Sequence, residues 1–403
     1  MTIFFSVGEP SGDLHGANLI RELSSRRAGL KFVGYGGPRM AAAGCELHED
    51  LTKHAIMWLL QVFLALPTFI SYMRRAGRYF RDVKPDAVVL IDYPGFNWWI
   101  ARQAKRYGIP VFYYGTPQLW GWASWRVKKM KRLVDHVLCK LPFEPKWYAD
   151  RGCQATYVGH PYFDELATRQ LDQNFVAEQT SKSGPLVTIL PGSRTQEVKS
   201  NFARQLMSAE LIRQRVPNVR FAVASFKASQ AELAKEAIAR HPGLPIEVHV
   251  GRTPELIEAA TCCIAVSGSV SLELLYHHKP TVIVYHVSKF GYWVQGFFRR
   301  VRYITLVNLL TTPELLPQEV GVYDRRDPRD SHVLMPEYMA CEDRTAEVAS
   351  HIVEWLQNEP QRRKLVAQLA KLSEQVGQGG ASRKAAEYIL KRLPPSVTKR
   401  EAA

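Results

Sequence analysis

Apolar residues in this chain fall into short runs that alternate with stretches of helical periodicity. Ile3 to Val7, Lys31 to Tyr35, Ala87 to Ile91, Pro110 to Tyr114 and Val134 to Leu138 read as strands. The purest of them, Ala87 to Ile91, is mostly β-branched and bounded by Lys84-Pro85-Asp86 and Pro94-Gly95, the pattern of a strand buried on both faces of a parallel sheet. Leu14 to Leu23 and Trp98 to Arg106 carry helical spacing between them. A second series starts at Leu186 to Leu190 and continues through Arg220 to Ala224, Ile246 to Val250, Cys263 to Val266 and Thr281 to Tyr285. Two such series predict an α/β protein of two doubly wound domains with a cleft between them. The polar run from about Ala167 to Pro185 is the expected linker. The expected organisation is therefore residues 1–166, a linker at 167–185, a second domain at 186–345, and final helices over 346–403 that pack back across the domains.

The strand ends carry the candidate chemistry. Asp92 follows the Ala87 to Ile91 strand, at the edge where open α/β sheets bind ligands, and is a candidate general base; a cap of the next turn is the other reading. Gly8-Glu9-Pro10-Ser11-Gly12-Asp13 leads from the first strand into a helix and places Ser11 and Gly12 beside free backbone N–H groups. It matches neither the dinucleotide fingerprint nor a P-loop. Gly36-Gly37-Pro38-Arg39 is a further glycine turn at the same edge. In the second series Leu190-Pro191-Gly192-Ser193-Arg194 offers backbone donors, a hydroxyl and a guanidinium, a set suited to a diphosphate. Ser267-Gly268-Ser269 repeats the arrangement, with Glu273 one turn later placed to accept from ribose hydroxyls. Each turn alone is also what an ordinary N-cap looks like; the two together favour a nucleotide.

Ala55 to Met73 holds no formal charge, is interrupted by Pro67 and is flanked by Lys53-His54 and by Arg74, Arg75, Arg78 and Arg81. It reads as helical hairpin elements with an apolar face and a basic rim, lying on a bilayer or binding acyl chains, against the alternatives of plain core and a membrane span. Trp120 and Trp122 follow the Pro110 to Tyr114 strand and suit a sugar or lipid pocket or simple packing, and Trp125 to Arg132 forms a basic helix. The formal charge of +15 points to an anionic partner. Six cysteines without CxxC spacing argue against a zinc site or disulfide framework, and no secretory signal opens the chain, so a reducing, cytoplasmic setting is expected.

Taken in order, Gly8 to Asp13, Ile91 to Asn97, Phe143-Glu144-Pro145, Val158-Gly159-His160-Pro161, Leu190 to Arg194, Ser267-Gly268 with Glu273, and Asn308-Leu309-Leu310 resemble the lipid-A-disaccharide synthase family over roughly residues 1–312. The resemblance implies a GT-B fold, a UDP-sugar donor and inversion at the anomeric carbon. It implies transfer from UDP-2,3-diacylglucosamine to 2,3-diacylglucosamine 1-phosphate, with no cofactor beyond the donor. Asp92 would act as base, Arg194 and the Ser193 and Ser267-Gly268 turns would stabilise departing UDP, and Asn308 would be a donor-site or active-site residue. No DxD pair stands at a suitable strand end, which fits metal independence. A peripheral place on the inner face of the cytoplasmic membrane and a homodimer are further implications. The chain departs from the family where Gly95 replaces a second acid, where Tyr93 replaces a small residue, and in the Thr116 to Trp122 loop. Two other readings stay open: a UDP-N-acetylglucosamine 2-epimerase, and a catalytically silent, membrane-associated nucleotide-binding protein. Nucleic-acid binding has no recognisable module behind it.

Overall fold

The computed structural model describes residues 1–54 and 59–394, in two compact units: residues 1–165 with the chain end from 379, and residues 166–378. In the first unit the described strands are β1 (Thr2–Val7), β2 (Lys31–Gly36), β3 (Cys45–Asp50), β4 (Ala87–Ile91), β5 (Val111–Tyr114), β6 (His136–Cys139) and β7 (Ala155–Tyr157). They form one parallel sheet in the order β3-β2-β1-β4-β5-β6-β7. The order reverses between β1 and β4, so the carboxyl ends of these two strands flank the crevice in which such sheets bind ligands. Side-chain alternation along β1 explains its burial on both faces. Ile3, Phe5 and Val7 pack with Ala17, Ile20 and Leu23 of helix Pro10–Arg26, while Phe4 points the other way, 4.8 Å from Phe80 and 5.5 Å from Tyr35 by ring centroids.

The second unit repeats the plan with β8 (Leu186–Leu190), β9 (Arg220–Ser225), β10 (Ile246–Val250), β11 (Cys262–Ala265), β12 (Thr281–His286) and β13 (Glu337–Ala340). Their order is β10-β9-β8-β11-β12-β13, again all parallel, with its reversal between β8 and β11. The two doubly wound sheets expected from the sequence are present. β13 was not expected: it is a four-residue strand after a long irregular stretch.

Several expectations change. Ala55 to Trp58 lie outside the described residues. Beyond them the chain forms a single helix, Leu59–Asp82, that runs through Pro67 rather than a hairpin. Its later turns are anchored to the sheet by buried Ala76 and Phe80 and by the Tyr35 hydroxyl, which donates to the Tyr72 carbonyl at 2.7 Å. Arg74, Arg75, Arg78 and Arg81 are exposed along it. Among the described residues no helix is long and apolar enough to cross a membrane. The basic helix is shorter than read, Val127–Leu133, with Lys128, Lys129, Lys131 and Arg132 exposed.

The supposed linker contains helix Gln173–Ser181. Its polar residues have local work: Asp172 caps the helix by accepting from Phe175 N at 3.1 Å and also pairs with Arg252 at 2.9 Å. The terminal helices divide between the units. Thr345–Gln357 and Glu359–Val376 belong to the second, and Ala381–Leu390 to the first. Asp164 holds the start of this last helix by accepting from Ala381 N at 3.0 Å and Ser382 N at 2.8 Å.

Candidate active site

Asp92 stands at the carboxyl end of β4, at the switch point of the first sheet, and both it and Tyr93 have left-handed backbone, with φ of 45° and 43°. That conformation costs an L-residue about 1–2 kcal/mol and persists only where surroundings enforce it. Asn97 enforces it here. Fully buried, it donates to the carbonyls of Asp92 (2.8 Å), Ile91 (3.2 Å) and Ser6 (3.2 Å) and accepts from Ser6 Oγ (2.7 Å). The Tyr113 hydroxyl donates to the same Asp92 carbonyl at 2.6 Å. Gly8 admits the Tyr93 ring, because a Cβ on Gly8 would lie 2.3–2.8 Å from ring carbons. Gly8→Ala is therefore expected to lower stability by about 1–3 kcal/mol. Combining it with Tyr93→Gly should restore most of the loss; equal urea midpoints for Gly8→Ala and wild type would contradict the contact.

The Asp92 carboxylate lies close to backbone. A Cβ on Gly12 would sit 3.8 Å from its Oδ2, and one on Gly115 would sit 3.5 Å from its Oδ1. Lys140, which follows β6, brings Nζ to 3.5 Å from Oδ1. The Lys140 backbone is itself fixed by Glu144, a fully buried carboxylate that accepts from Lys140 N (2.9 Å), Leu141 N (3.0 Å), Thr116 Oγ1 (3.0 Å) and Trp120 Nε1 (3.1 Å). Burial pushes the Glu144 carboxyl up, only partly opposed by Lys140 and these donors. His15 and His160, buried with ring centroids 6.5 Å apart, are both held below the ordinary imidazole range by burial. Ser11 is exposed in the first turn of its helix and Gly12 is buried. Asp13 fills the Gly36-Gly37-Pro38-Arg39 turn, accepting from Gly37 N (2.9 Å), Arg39 N (3.0 Å) and Met40 N (3.0 Å), so that turn already holds a carboxylate. The arrangement at this edge can take a proton from a hydroxyl brought to Asp92.

In the second unit the two glycine turns meet at the β8–β11 switch point. Gly192 has φ 122°, and a Cβ there would lie 2.6 Å from Glu197 Cβ and 3.3 Å from Val266 Cγ2. The Ser193 carbonyl accepts from buried Gln230 at 2.9 Å. Arg194, its side chain 80% exposed, receives Glu197 on its backbone N–H (3.1 Å) and pairs with it through Nη1 (3.2 Å). Gly268 and Ser269 are exposed, and Ser267 Oγ donates to the Ile304 carbonyl at 3.3 Å.

Glu273, expected to accept from a ribose, and Asn308, expected at the donor or active site, are both buried. Glu273 is buried and ion-paired with Arg169. Asn308 is fully buried: its amide donates to the Met335 carbonyl (2.7 Å) and Glu337 Oε2 (3.0 Å), and its oxygen accepts from Met335 N (3.1 Å). Glu337 in turn accepts from Ile304 N (2.7 Å) and Thr305 N (3.0 Å), and burial drives its carboxyl up to about 7 against these donors. Asn308 is thus linked to Ser267 indirectly, through Glu337 and the 304–308 turn. Lys140 and Glu337 were not singled out from the sequence, and Glu144 entered only within the Phe143-Glu144-Pro145 motif, without these contacts. Lys140 left a signal in its place directly after a strand.

Two parallel sheets, each with glycine turns gathered at its switch point, define the GT-B class of α/β proteins. The S. aureus MnaA-UDP co-structure matches with TM-score 0.62 at 12% identity, covering 96% of this chain and 95% of that one. The calicheamicin glycosyltransferase CalG4 matches with TM-score 0.58 at 14% identity over 98% and 99%. At such identities the likeness is one of fold. The relationship in sequence is closer: the family model described as lipid-A-disaccharide synthetase matches residues 3–375. Lipid-A-disaccharide synthase of Myxococcus xanthus is 33% identical over 401 residues, 98% of each chain. That of Geobacter metallireducens is 32% identical over 394 residues, 97% of each. The chain belongs to the lipid-A-disaccharide synthase family, glycosyltransferases of lipid A biosynthesis, as the motifs in its sequence implied.

Proposed function

We propose that the enzyme transfers the sugar of UDP-2,3-diacylglucosamine to 2,3-diacylglucosamine 1-phosphate, forming the disaccharide 1-phosphate and UDP with inversion and without a metal. The observation that carries this reading is Asp92, held by Asn97 and Tyr113 in a strained turn at the switch point of its sheet. The carboxylate takes the proton of the acceptor 6-hydroxyl as that oxygen attacks C1 of the donor, and the C1–O bond to UDP breaks. In the second unit Arg194 and the backbone of the Ser193 and Ser267-Gly268 turns stabilise the charge that develops on the diphosphate. Support for a UDP donor comes from the likeness in fold to the UDP-bound S. aureus MnaA structure. The family relationship favours transfer over epimerisation. Exposed Leu66 and the arginines of helix Leu59–Asp82 support a peripheral place on the cytoplasmic membrane surface.

The test is a mass-spectrometric transfer assay with both acylated substrates in detergent and EDTA. Disaccharide 1-phosphate and UDP should accumulate at the rate seen without chelator. Activity that disappears in EDTA and returns with a divalent cation would overturn the metal-independent step. Release of a manno epimer from UDP-N-acetylglucosamine, with no disaccharide, would overturn the transferase reading.

A further inference from the structure

Helix Lys289–Phe298, in the second unit, has no buried residue and presents its largest apolar side chains outward. Phe290 is 73% exposed, Trp293 61% and Phe297 62%, at the i, i+3, i+7 spacing of one helical face. They form a ridge: ring centroids are 6.1 Å apart for Phe290 and Trp293 and 4.7 Å for Trp293 and Phe297. An ordinary surface helix turns such a face inward. Lys289 opens the helix and Arg300 lies just past its end, both exposed. From Leu274 to Pro313 the chain has five Lys or Arg and no Asp or Glu.

We infer that this aromatic ridge is a membrane-docking surface that enters the headgroup region of an anionic bilayer, with Lys289 and Arg300 on lipid phosphates at its two ends. Phenylalanine and tryptophan flanked by cations are the side chains that partition to this boundary. Charge selects the bilayer over a second copy of the chain, since a symmetric contact through this face would bring Lys289 of one copy toward Arg300 of the other. The inference rests on the peripheral membrane reading proposed above, for which it names a surface in the second unit, and does not depend on the identity of the sugar substrates.

The full-length protein is mixed with vesicles of phosphatidylcholine, with or without phosphatidylglycerol, and with lipids brominated on the acyl chains. Bromolipid should quench wild-type tryptophan emission, and Trp293→Phe, which keeps the ridge apolar, should still sediment with vesicles while losing most of that quenching. Phe290→Ser/Trp293→Ser/Phe297→Ser should weaken partitioning by on the order of tenfold or more. Lys289→Gln/Arg300→Gln should abolish much of the preference for phosphatidylglycerol and its sensitivity to salt. Undiminished quenching in Trp293→Phe, or wild-type partitioning by the triple serine variant at an unchanged melting temperature, would overturn the proposal. A triple variant that loses only self-association in sedimentation velocity would overturn it too, assigning the face to a second copy.

Discussion

Asp92→Asn is expected to lower turnover of the disaccharide-forming reaction by about 10²- to 10⁴-fold while leaving UDP affinity within a few-fold of wild type. The substitution keeps shape and removes only the capacity to accept a proton. The turn that carries the residue is held through its backbone, by Asn97 and Tyr113 on the Asp92 carbonyl, so an amide side chain leaves those bonds in place. Lys140 loses its carboxylate partner in the variant, but it remains tethered by its own N–H to Glu144. No second-unit contact is altered, and UDP affinity, measured by titration calorimetry, separates loss of the base from loss of the proposed donor site. Full turnover by Asp92→Asn would move the base elsewhere in the first unit. Gly95, the position at which the resemblance implies a second acid, is exposed, and open space surrounds a Cβ placed on it. Gly95→Asp therefore fits sterically.

What could be read from the sequence was governed by locality. Strand ends followed by proline or glycine announced themselves, which is why Asp92, Gly192 and Ser267 all read as ligand-facing strand ends from the sequence alone, while their place at switch points needed the strand order. Contacts between residues far apart in sequence were not legible. Lys140 beside Asp92, and Asn308 spanning Met335 and Glu337, depend on how the strands are ordered. Composition also misled. The polar residues of the expected linker are a helix cap and an ion pair, and β13 was missed because Glu337 looks solvent-bound until its donors from Ile304, Thr305 and Asn308 are seen. The aromatic ridge of Lys289–Phe298 was hidden in the opposite way, since apolar residues at helical spacing look like core whichever way they face.

The polar stretch from Pro313 to Asp343 gave no sign in the sequence of what would order it, and of the contacts that hold it the buried Arg302–Asp330 pair is the one whose removal should have the largest effect on stability. Asp330 accepts from Arg302 Nε (2.8 Å) and Nη2 (2.7 Å), from the Tyr303 hydroxyl, and from Asp324 N (2.8 Å). The ion pair is buried, with side-chain exposures of 9% for Arg302 and 1% for Asp330. Removing one member strands the other charge, so Asp330→Ala is expected to destabilise the second unit by about 3–5 kcal/mol. Replacing both, as Arg302→Met with Asp330→Leu, should recover much of that loss, because an apolar pair leaves no stranded ion. Asp327, which also pairs with Arg302 at 2.9 Å, limits the damage without supplying the second bond or the Tyr303 contact. Burial pushes the Asp330 carboxyl up, but Arg302, Asp324 N and Tyr303 together bring it below its ordinary value. With the folded value depressed, the stabilisation is complete above the unfolded carboxylate range, near pH 4, and is lost as pH falls through the folded value. The gap in urea midpoint between wild type and Asp330→Ala should hold constant from neutral pH to about pH 5 and close on further acidification. Hydrogen exchange should locate the loss in residues 302–337. Matching midpoints at neutral pH would mean that Arg302 finds an equivalent partner in Asp327, and that the segment is ordered by its apolar contacts instead.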